Sequence, residues 1–196
     1  FALTAKILRI VNSPFYRSSG GGTISTVSRA VIVLGFDTIR NVVLTVMMFE
    51  HLQNKANAGQ IKESFLRANL SGLIGREIGQ KLMPRDAEEA FVCAMFHDLG
   101  RLLVQFYFPD EIEEIQRLVM QRKCSEEAAV LQVLGMSFDD LGAAIAHHWG
   151  FPPSVINSMR SLSPGPVRKP STREEMLRTV AGLSNEICER IATEKP

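Results

Sequence analysis

His97 and Asp98 are adjacent near the middle of the chain, and their chemistry is that of metal coordination. They follow the apolar segment 91–96 and precede Leu99 and Gly100. A hydrolytic metal centre needs several protein ligands and one open position for water, so two neighbours are not sufficient. On one helix these side chains would lie about 100° apart. We therefore expect a metal site only if neighbouring helices supply further ligands.

Few residues elsewhere in the chain could complete such a site. Asp139 and Asp140 supply carboxylates and His147 supplies an imidazole, and we treat these three as weak alternative partners. His147 and His148 stand before Trp149, where packing or a solvated position at a helix end is the competing interpretation. The preceding helix offers no imidazole in segment 67–71.

A polar clasp is the structural alternative for the His97-Asp98 pair. A buried aspartate must be hydrogen-bonded or paired, and an adjacent imidazole can satisfy a carbonyl or carboxylate of the next helix. Under this interpretation we expect no metal ligands, no cofactor and no catalytic residue, and the pair stabilises the fold.

Composition limits the function classes. The chain has 196 residues, 45% of them apolar, which is enough to bury a substantial core. Its 22 Lys and Arg residues nearly balance 21 Asp and Glu residues, so we expect no nucleic-acid partner. The longest apolar stretches, 30–36 and 42–49, are shorter than the roughly 20 residues that span a bilayer, so we expect no membrane association.

Three cysteines, Cys93, Cys124 and Cys188, are odd in number and far apart. This pattern favours reduced thiols over a disulfide framework and predicts a cytoplasmic protein. Cys93 is interpreted as a small buried hydrophobe.

The apolar period is helical almost everywhere, and the sequence predicts an all-α protein. A polar break at Lys55–Gly59 divides a smaller N-terminal subdomain, residues 1–58, from a helical bundle, residues 59–196. Gly72, Gly75 and Gly79 lie three and four residues apart on one predicted helix. Because glycine weakens a helix interior, their spacing predicts the close approach of another helix.

Helix boundaries follow from caps and breakers. The first helix is expected to end at Asn12-Ser13-Pro14, and Asp86 is expected to cap the helix that carries His97 and Asp98. The helix hairpin within residues 26–46 has the outline of a DNA-reading motif, but its second helix exposes few polar residues, so we expect ordinary core packing. Asp37 or Thr38 is expected to cap that second helix.

Several separately spaced segments together resemble one protein family. They are residues 3–13, residues 24–35, Glu89-Ala90-Phe91, His97-Asp98-Leu99-Gly100, Leu141-Gly142 and Trp149-Gly150-Phe151-Pro152. In this order they resemble the HDOD domain, the HD-related output domain of bacterial signalling proteins. The resemblance extends to about residue 160 and begins just inside the family's pattern, so we expect an initial helix to be missing.

The resemblance implies an all-helical, HD-like bundle related to the HD phosphohydrolases. In the active HD phosphohydrolases that this chain resembles, the metal site needs an earlier histidine, the His-Asp pair and a later aspartate. Here the earlier position falls at Ala68 or Asn69, and a further family histidine is replaced by Phe138. Histidines that commonly follow Trp149 are replaced at residues 159–161. The pair His97-Asp98 is thus interpreted as a vestige of a metal site.

The expected function is a non-enzymatic signal-transduction module that acts through protein-protein or interdomain contacts. Its expected partners are other signalling proteins or domains of the same full-length chain. The alternative is a metal-dependent phosphohydrolase acting on a nucleotide or cyclic dinucleotide, with a divalent metal held by His97 and Asp98 and helped by Asp139, Asp140 or His147. The sequence predicts no oligomeric state.

Overall fold

A computed structural model describes residues 2–13, 24–52, 58–162 and 169–193. These residues form α-helices and one short 3-10 helix at Pro84–Asp86, without any strand, which confirms the all-α prediction. The α-helices are α1 Ala2–Val11, α2 Val27–Leu34, α3 Phe36–Leu52, α4 Ala58–Leu82, α5 Ala87–Phe96, α6 Leu99–Tyr107, α7 Pro109–Arg122, α8 Glu126–Leu134, α9 Phe138–His148, α10 Pro153–Ser158 and α11 Arg173–Thr193.

The chain divides into two compact units, residues 1–56 and residues 57–196. The predicted break at Lys55–Gly59 falls partly outside the described residues. None of the described helices is by itself long and apolar enough to cross a membrane. Helices α8 and α9 meet at a bend of 55°, and taken together they reach the required length and apolar composition.

The first unit packs α1, α2 and α3 against one another. Asn12 ends α1 and fastens it to the segment before α2: its side-chain amide donates to the Ile24 carbonyl at 2.7 Å, and its Oδ1 accepts the Ile24 amide at 2.8 Å. These bonds satisfy both backbone groups of Ile24, which lies outside the helices. The buried core comprises Ile7, Val11, Ile24, Ala30, Ile39, Val42 and Val46.

The junction between α2 and α3 differs from the prediction. Thr26 caps α2 by accepting the Arg29 amide at 3.1 Å, but α3 begins at Phe36, directly after Gly35. Asp37 and Thr38 therefore lie inside the first turn of α3 and do not cap it. Gly35 has φ +84°, a conformation that is strained for residues with a Cβ, and this lets a single residue separate α2 from α3.

In the second unit, the three glycines of α4 lie against α5, which confirms the predicted close approach. A Cβ placed on Gly75 would lie 2.7 Å from the Cβ of Ala94, and one on Gly79 would lie 3.0 Å from the Cβ of Ala90. Since α5 is buried from Ala90 to Phe96, this seam forms the centre of the unit.

Helix α11 packs against both α4 and α5. The Ala94 carbonyl accepts two hydrogen bonds, from the Ser71 hydroxyl of α4 at 3.2 Å and from the Asn185 amide of α11 at 2.8 Å. At the other end of α5, Arg173 donates to Asp86 at 2.8 Å and also to Glu89. Asp86 makes no side-chain capping bond to α5, so the predicted cap is wrong: its carboxylate is paired with the guanidinium.

Two glycines let α6 cross α9 at backbone contact. A Cβ on Gly100 would lie 1.9 Å from the Phe138 carbonyl oxygen, and one on Gly142 would lie 2.8 Å from the Gly100 amide nitrogen. No side chain fits between these backbones. The crossing fixes the position of the turn that immediately precedes Gly100.

Helices α7 and α8 form a hairpin with a buried cluster of its own. The cluster consists of Ile115, Leu118, Ala129 and Val130, with Phe138 packed against it. Ser125 caps α8 by accepting the Ala128 amide at 3.3 Å, and Gly135 ends α8 with φ +74°.

Candidate functional site

His97 and Asp98 lie in the turn between α5 and α6. The prediction that one helix carries both residues is wrong, because α5 ends at Phe96 and α6 begins at Leu99. His97 retains helical angles, whereas Asp98 has φ −95° and ψ 25° and interrupts the helix. The turn redirects the chain toward the crossing at Gly100.

The His97 imidazole is joined to the end of α10. Its Nδ1 lies 2.6 Å from the Ser158 carbonyl oxygen. Because a carbonyl only accepts, Nδ1 carries a proton and donates it. Ser158 is buried, with 1% of its surface exposed, and its hydroxyl donates to the Val155 carbonyl at 2.7 Å. The imidazole thus satisfies a backbone acceptor beside a buried residue.

Asp98 is exposed, which corrects the expectation of a buried carboxylate. It occupies the position before α6 but makes no side-chain capping bond. The expected hydrogen bond of the imidazole is therefore present, and its acceptor is a carbonyl of α10. The Asp98 carboxylate is not buried and so needs no hydrogen-bond partner within the protein.

Two cavities adjoin this turn, with volumes of about 300 Å³ and about 360 Å³. Their linings share five residues: His97, Asp98, Arg101, Glu126 and Ser161. The first cavity extends toward α8 and α9, and the second extends toward α4 and α11. The His-Asp turn thus contacts both spaces.

Arg101 and Glu126 form a two-pronged ion pair in the shared wall. The Arg101 Nη1 and Nη2 atoms donate to the Glu126 Oε1 and Oε2 atoms at 2.7 and 2.6 Å. The guanidinium also lies 4.7 Å from the centre of the Phe138 ring, within cation-π range. Hydrogen bonds from Arg101 lower the pKa of Glu126, and the same bonds raise the pKa of Arg101.

The three weak alternative partners are separated by the structure. Asp139 lines the first cavity, and its Oδ2 accepts the Ser161 amide at 2.7 Å. Asp140 is exposed, and its carboxylate accepts the Ser137 hydroxyl at 2.7 Å in the cap of α9. His147 is exposed in the last turn of α9, beside His148, and lines neither cavity. Only Asp139 joins His97 and Asp98 around one space.

The position where the resemblance places an earlier histidine contains other chemistry. Asn69 donates its amide to the Phe65 carbonyl of its own helix at 3.0 Å. Arg67 lines the second cavity together with His97 and Asp98. A guanidinium at this place opposes a divalent cation electrostatically.

The residues around His97 do not fit a divalent metal. Nε2 is chemically suited to ligation, since ligating histidines commonly donate their other N–H to a carbonyl. The remaining donors are insufficient: within residues 2–13, 24–52, 58–162 and 169–193, no three His, Cys, Asp or Glu side chains are grouped so as to hold a metal ion.

Cys93 lies on α5, close to this region, but has the properties of a core residue. It is fully buried, and burial raises the pKa of its thiol to about 12. The thiolate required for nucleophilic attack is consequently disfavoured at neutral pH. This burial confirms its interpretation as a small hydrophobe.

Comparison with known protein families identifies the family of this chain. The sequence model of one family, the HDOD domain, matches residues 1–163. The chain belongs to the HDOD family. HDOD domains occur in signalling proteins and are related to the HD phosphohydrolases. Within the HDOD domain described here, Phe138 stands where the sequence comparison expected a histidine, and the structure places its ring beneath Arg101.

Individual relatives are distant in sequence. A candidate phosphohydrolase of Shewanella amazonensis SB2B has 22% identity and a TM-score of 0.74, and the match covers 98% of this chain and 66% of that one. The MmoQ response regulator of Methylococcus capsulatus has 21% identity and a TM-score of 0.58, covering 100% and 76%. At these identities the likeness shows the fold alone.

An uncharacterised protein of Treponema pallidum (strain Nichols) is 22% identical over an alignment of 163 residues, and the match covers 81% of this chain and 30% of the relative. The chain thus spans less than a third of that curated relative.

Sequence reasoning missed much of the wall around the His-Asp turn. Arg101 and Glu126 are 25 positions apart, and no local spacing pairs them. The Ser158 carbonyl is a backbone group, which residue types do not reveal. The sequence did contain a hint for Arg67, because this residue lies one position before the place where the family resemblance puts a histidine. Other charged or amide residues of the wall that the sequence did not single out include Glu127, Asn185, Glu186 and Glu189.

Proposed function

We propose that this HDOD domain is a non-enzymatic signalling module that acts through contacts with another protein or with another domain of its full-length chain. The observation that carries this proposal is the composition of the wall around His97 and Asp98. That wall contains one imidazole, two arginines (Arg67 and Arg101) and several carboxylates. Among the described residues, however, no three His, Cys, Asp or Glu side chains are grouped so as to hold a metal ion, and the arginines oppose a cation electrostatically.

The His97 contact supports the same proposal. Its Nδ1 bond joins the α5–α6 turn to α10, so the imidazole links elements that are 61 residues apart in the chain. A group with this role is needed for structure even where hydrolysis is absent. Other signalling proteins or domains are the proposed partners, and neither cofactor nor nucleic acid is part of the proposal.

A purified-protein experiment distinguishes this function from metal-dependent phosphohydrolysis. We expect elemental analysis to give Mn, Fe and Zn well below one ion per chain. We also expect no hydrolysis of a phosphodiester dye substrate or a cyclic dinucleotide with added Mn²⁺, beyond that of an Asp98→Asn control. About one bound ion per chain, lost together with activity in Asp98→Asn, would support the phosphohydrolase and remove the proposal.

A binding experiment tests the positive part. Signalling domains encoded with this chain are assayed by co-purification and by titration calorimetry against wild type and Asp98→Asn. Saturable binding of equal strength by both proteins is the expected result. Failure of every such domain to bind, or binding that requires Asp98 and added metal, would contradict a contact-based function.

A further inference from the structure

The α7–α8 hairpin is built as a separate packing unit within the second unit. Its cluster of Ile115, Leu118, Ala129 and Val130 is formed by α7 and α8 themselves. By contrast, the α4, α5 and α11 helices share the seam that contains Ala94. Segments that carry their own apolar cluster can open as cooperative units.

This hairpin supplies one side of the first cavity. Glu126, Glu127, Val130 and Leu131 of α8 line it, opposite Gly100 and the residues of the His-Asp turn. Displacement of α8 would therefore open the space beside His97 and Asp98 to solvent. It would also uncover the half-buried ring of Phe138, which packs against the hairpin cluster.

Both ends of the hairpin have a defined backbone break. Phe108 has φ −133° and ψ 59° before Pro109, whose ring cannot continue the α6 hydrogen-bond ladder. Gly135 has φ +74° between α8 and α9. Breaks of this kind at both ends of an element are suited to absorb the angle changes of a hinge.

Arg101 connects α6 to the N-terminus of α8 in this hairpin. Its guanidinium binds the first residue of α8, Glu126, and covers the ring of Phe138 at the start of α9. The side chains of Arg101 and Glu126 are 30% and 47% exposed. Water and salt weaken a pair with this exposure, so it can break and re-form.

We propose that the α7–α8 hairpin is a lid over the cavity beside His97 and Asp98, and that the Arg101–Glu126 ion pair is its latch. The closed lid covers Phe138 and the α8 wall of the cavity. The open lid exposes both to solvent. The use of this motion in signalling rests on the proposed function, whereas the latch itself is a property of the isolated chain.

Distances between two spin labels test the latch directly. Met120 on α7 and Ile191 on α11 are 82% and 55% exposed and are replaced by labelled cysteines. Cys124→Ser removes the half-buried native thiol. Cys93 and Cys188, at 0% and 2% exposure, remain unlabelled. We expect one closed-lid distance in this background and an additional longer component when Glu126→Gln is introduced.

Glu127→Gln is the matched control, because it removes the same charge from the same helix turn but lies outside the Arg101 pair. It should retain the closed-lid distance. In the parent protein, 1 M NaCl should produce part of the longer component. Arg101→Gln repeats the test from α6 should Glu126→Gln prevent folding.

Identical distributions in the parent, Glu126→Gln and Arg101→Gln proteins would overturn the latch. Equal lengthening by Glu126→Gln and Glu127→Gln would also overturn it, since loss of charge at the α8 N-terminus would then be the cause. These measurements need no partner, so a failed latch and a failed partner-binding experiment remain distinguishable.

Discussion

Gly100 on α6 and Gly142 on α9 lie in backbone contact: a Cβ on Gly100 would lie 2.9 Å from the Gly142 amide nitrogen and 1.9 Å from the Phe138 carbonyl oxygen. Leu99-Gly100 and Leu141-Gly142, two segments that carry the family resemblance, therefore meet in space. Their common requirement is the absence of a side chain where the helices cross.

Gly100→Ala should lower the free energy of unfolding by about 3 kcal/mol, because the added methyl meets backbone atoms that cannot rotate away. Urea denaturation measures the change. Gly182→Ala is the control within α11, where the Cβ would lie 3.3 Å from the Leu162 side chain, which can move. Its effect should be within about 1 kcal/mol, in either direction. Equal effects at both sites would contradict the crossing.

His97→Asn and His97→Gln should differ in stability. An asparagine amide can donate from nearly the place of Nδ1, whereas the longer glutamine places its donor elsewhere. We expect His97→Gln to lose about 1–3 kcal/mol, because the Ser158 carbonyl is left without its donor, and His97→Asn to retain most of that stability. Denaturant unfolding compares the variants with His97→Ala. An order in which asparagine is no better than alanine would exclude the Nδ1 bond as a stabilising contact.

The coupling between Arg101 and Glu126 should depend on pH. Arg101 lowers the pKa of Glu126 below its usual value of 4.5, so the native state favours the charged carboxylate. The coupling is therefore fully present above pH 4.5 and is lost as the pH falls through the lowered pKa of the folded state. A double-mutant cycle with Arg101→Gln and Glu126→Gln should give about 0.5–1 kcal/mol at pH 7. Coupling that persists in acid would contradict this assignment.

Cys124 should be the first thiol to react with a disulfide reagent. It is half-buried, whereas Cys93 and Cys188 are buried and burial raises the pKa of both thiols. We expect one thiol per chain to react in the native protein and three to react in guanidinium chloride. Cys124→Ser should abolish the early reaction. Early reaction of a second thiol in this variant would show that α5 or α11 opens more readily than its packing indicates.

Lys123→Gly should stabilise the end of α7. Lys123 has φ +52° and ψ 32°, the left-handed conformation that glycine adopts without a Cβ penalty. We expect a gain of up to about 1 kcal/mol in thermal or urea unfolding, reduced by the greater freedom of glycine in the unfolded chain. Arg122→Gly, one residue earlier and still helical, should instead lower stability.

Local sequence features predicted the helices and part of their packing. The spacing of Gly72, Gly75 and Gly79 predicted the α4–α5 contact, because small residues on one face have little use except close approach. Asn12 predicted the end of α1, because its side chain can bind backbone groups beyond the helix. Such signals are local, and their physical basis does not depend on the remainder of the fold.

The site was less predictable because it depends on groups that are distant in sequence. His97 and Asp98 were recognised by residue type, but their position in a turn follows from the α6–α9 crossing. The guanidinium of Arg101 contacts both α8 and α9, and no spacing of charges in the sequence reveals these contacts. Asp86 has the residue type of a helix cap, yet Arg173, 87 residues away, binds its carboxylate. Tertiary ion pairing here overrides the local preference.

The hairpin cluster of α7 and α8 also has a consequence for protein engineering. Because Ile115, Leu118, Ala129 and Val130 pack with one another, the exposed Lys123 between α7 and α8 lies outside the α4–α5–α11 seam. A short peptide tag or a fluorescent reporter inserted next to Lys123, ahead of the Ser125 cap, should leave that seam in place. The domain thereby provides a natural place for a biosensor that reads the position of one hairpin.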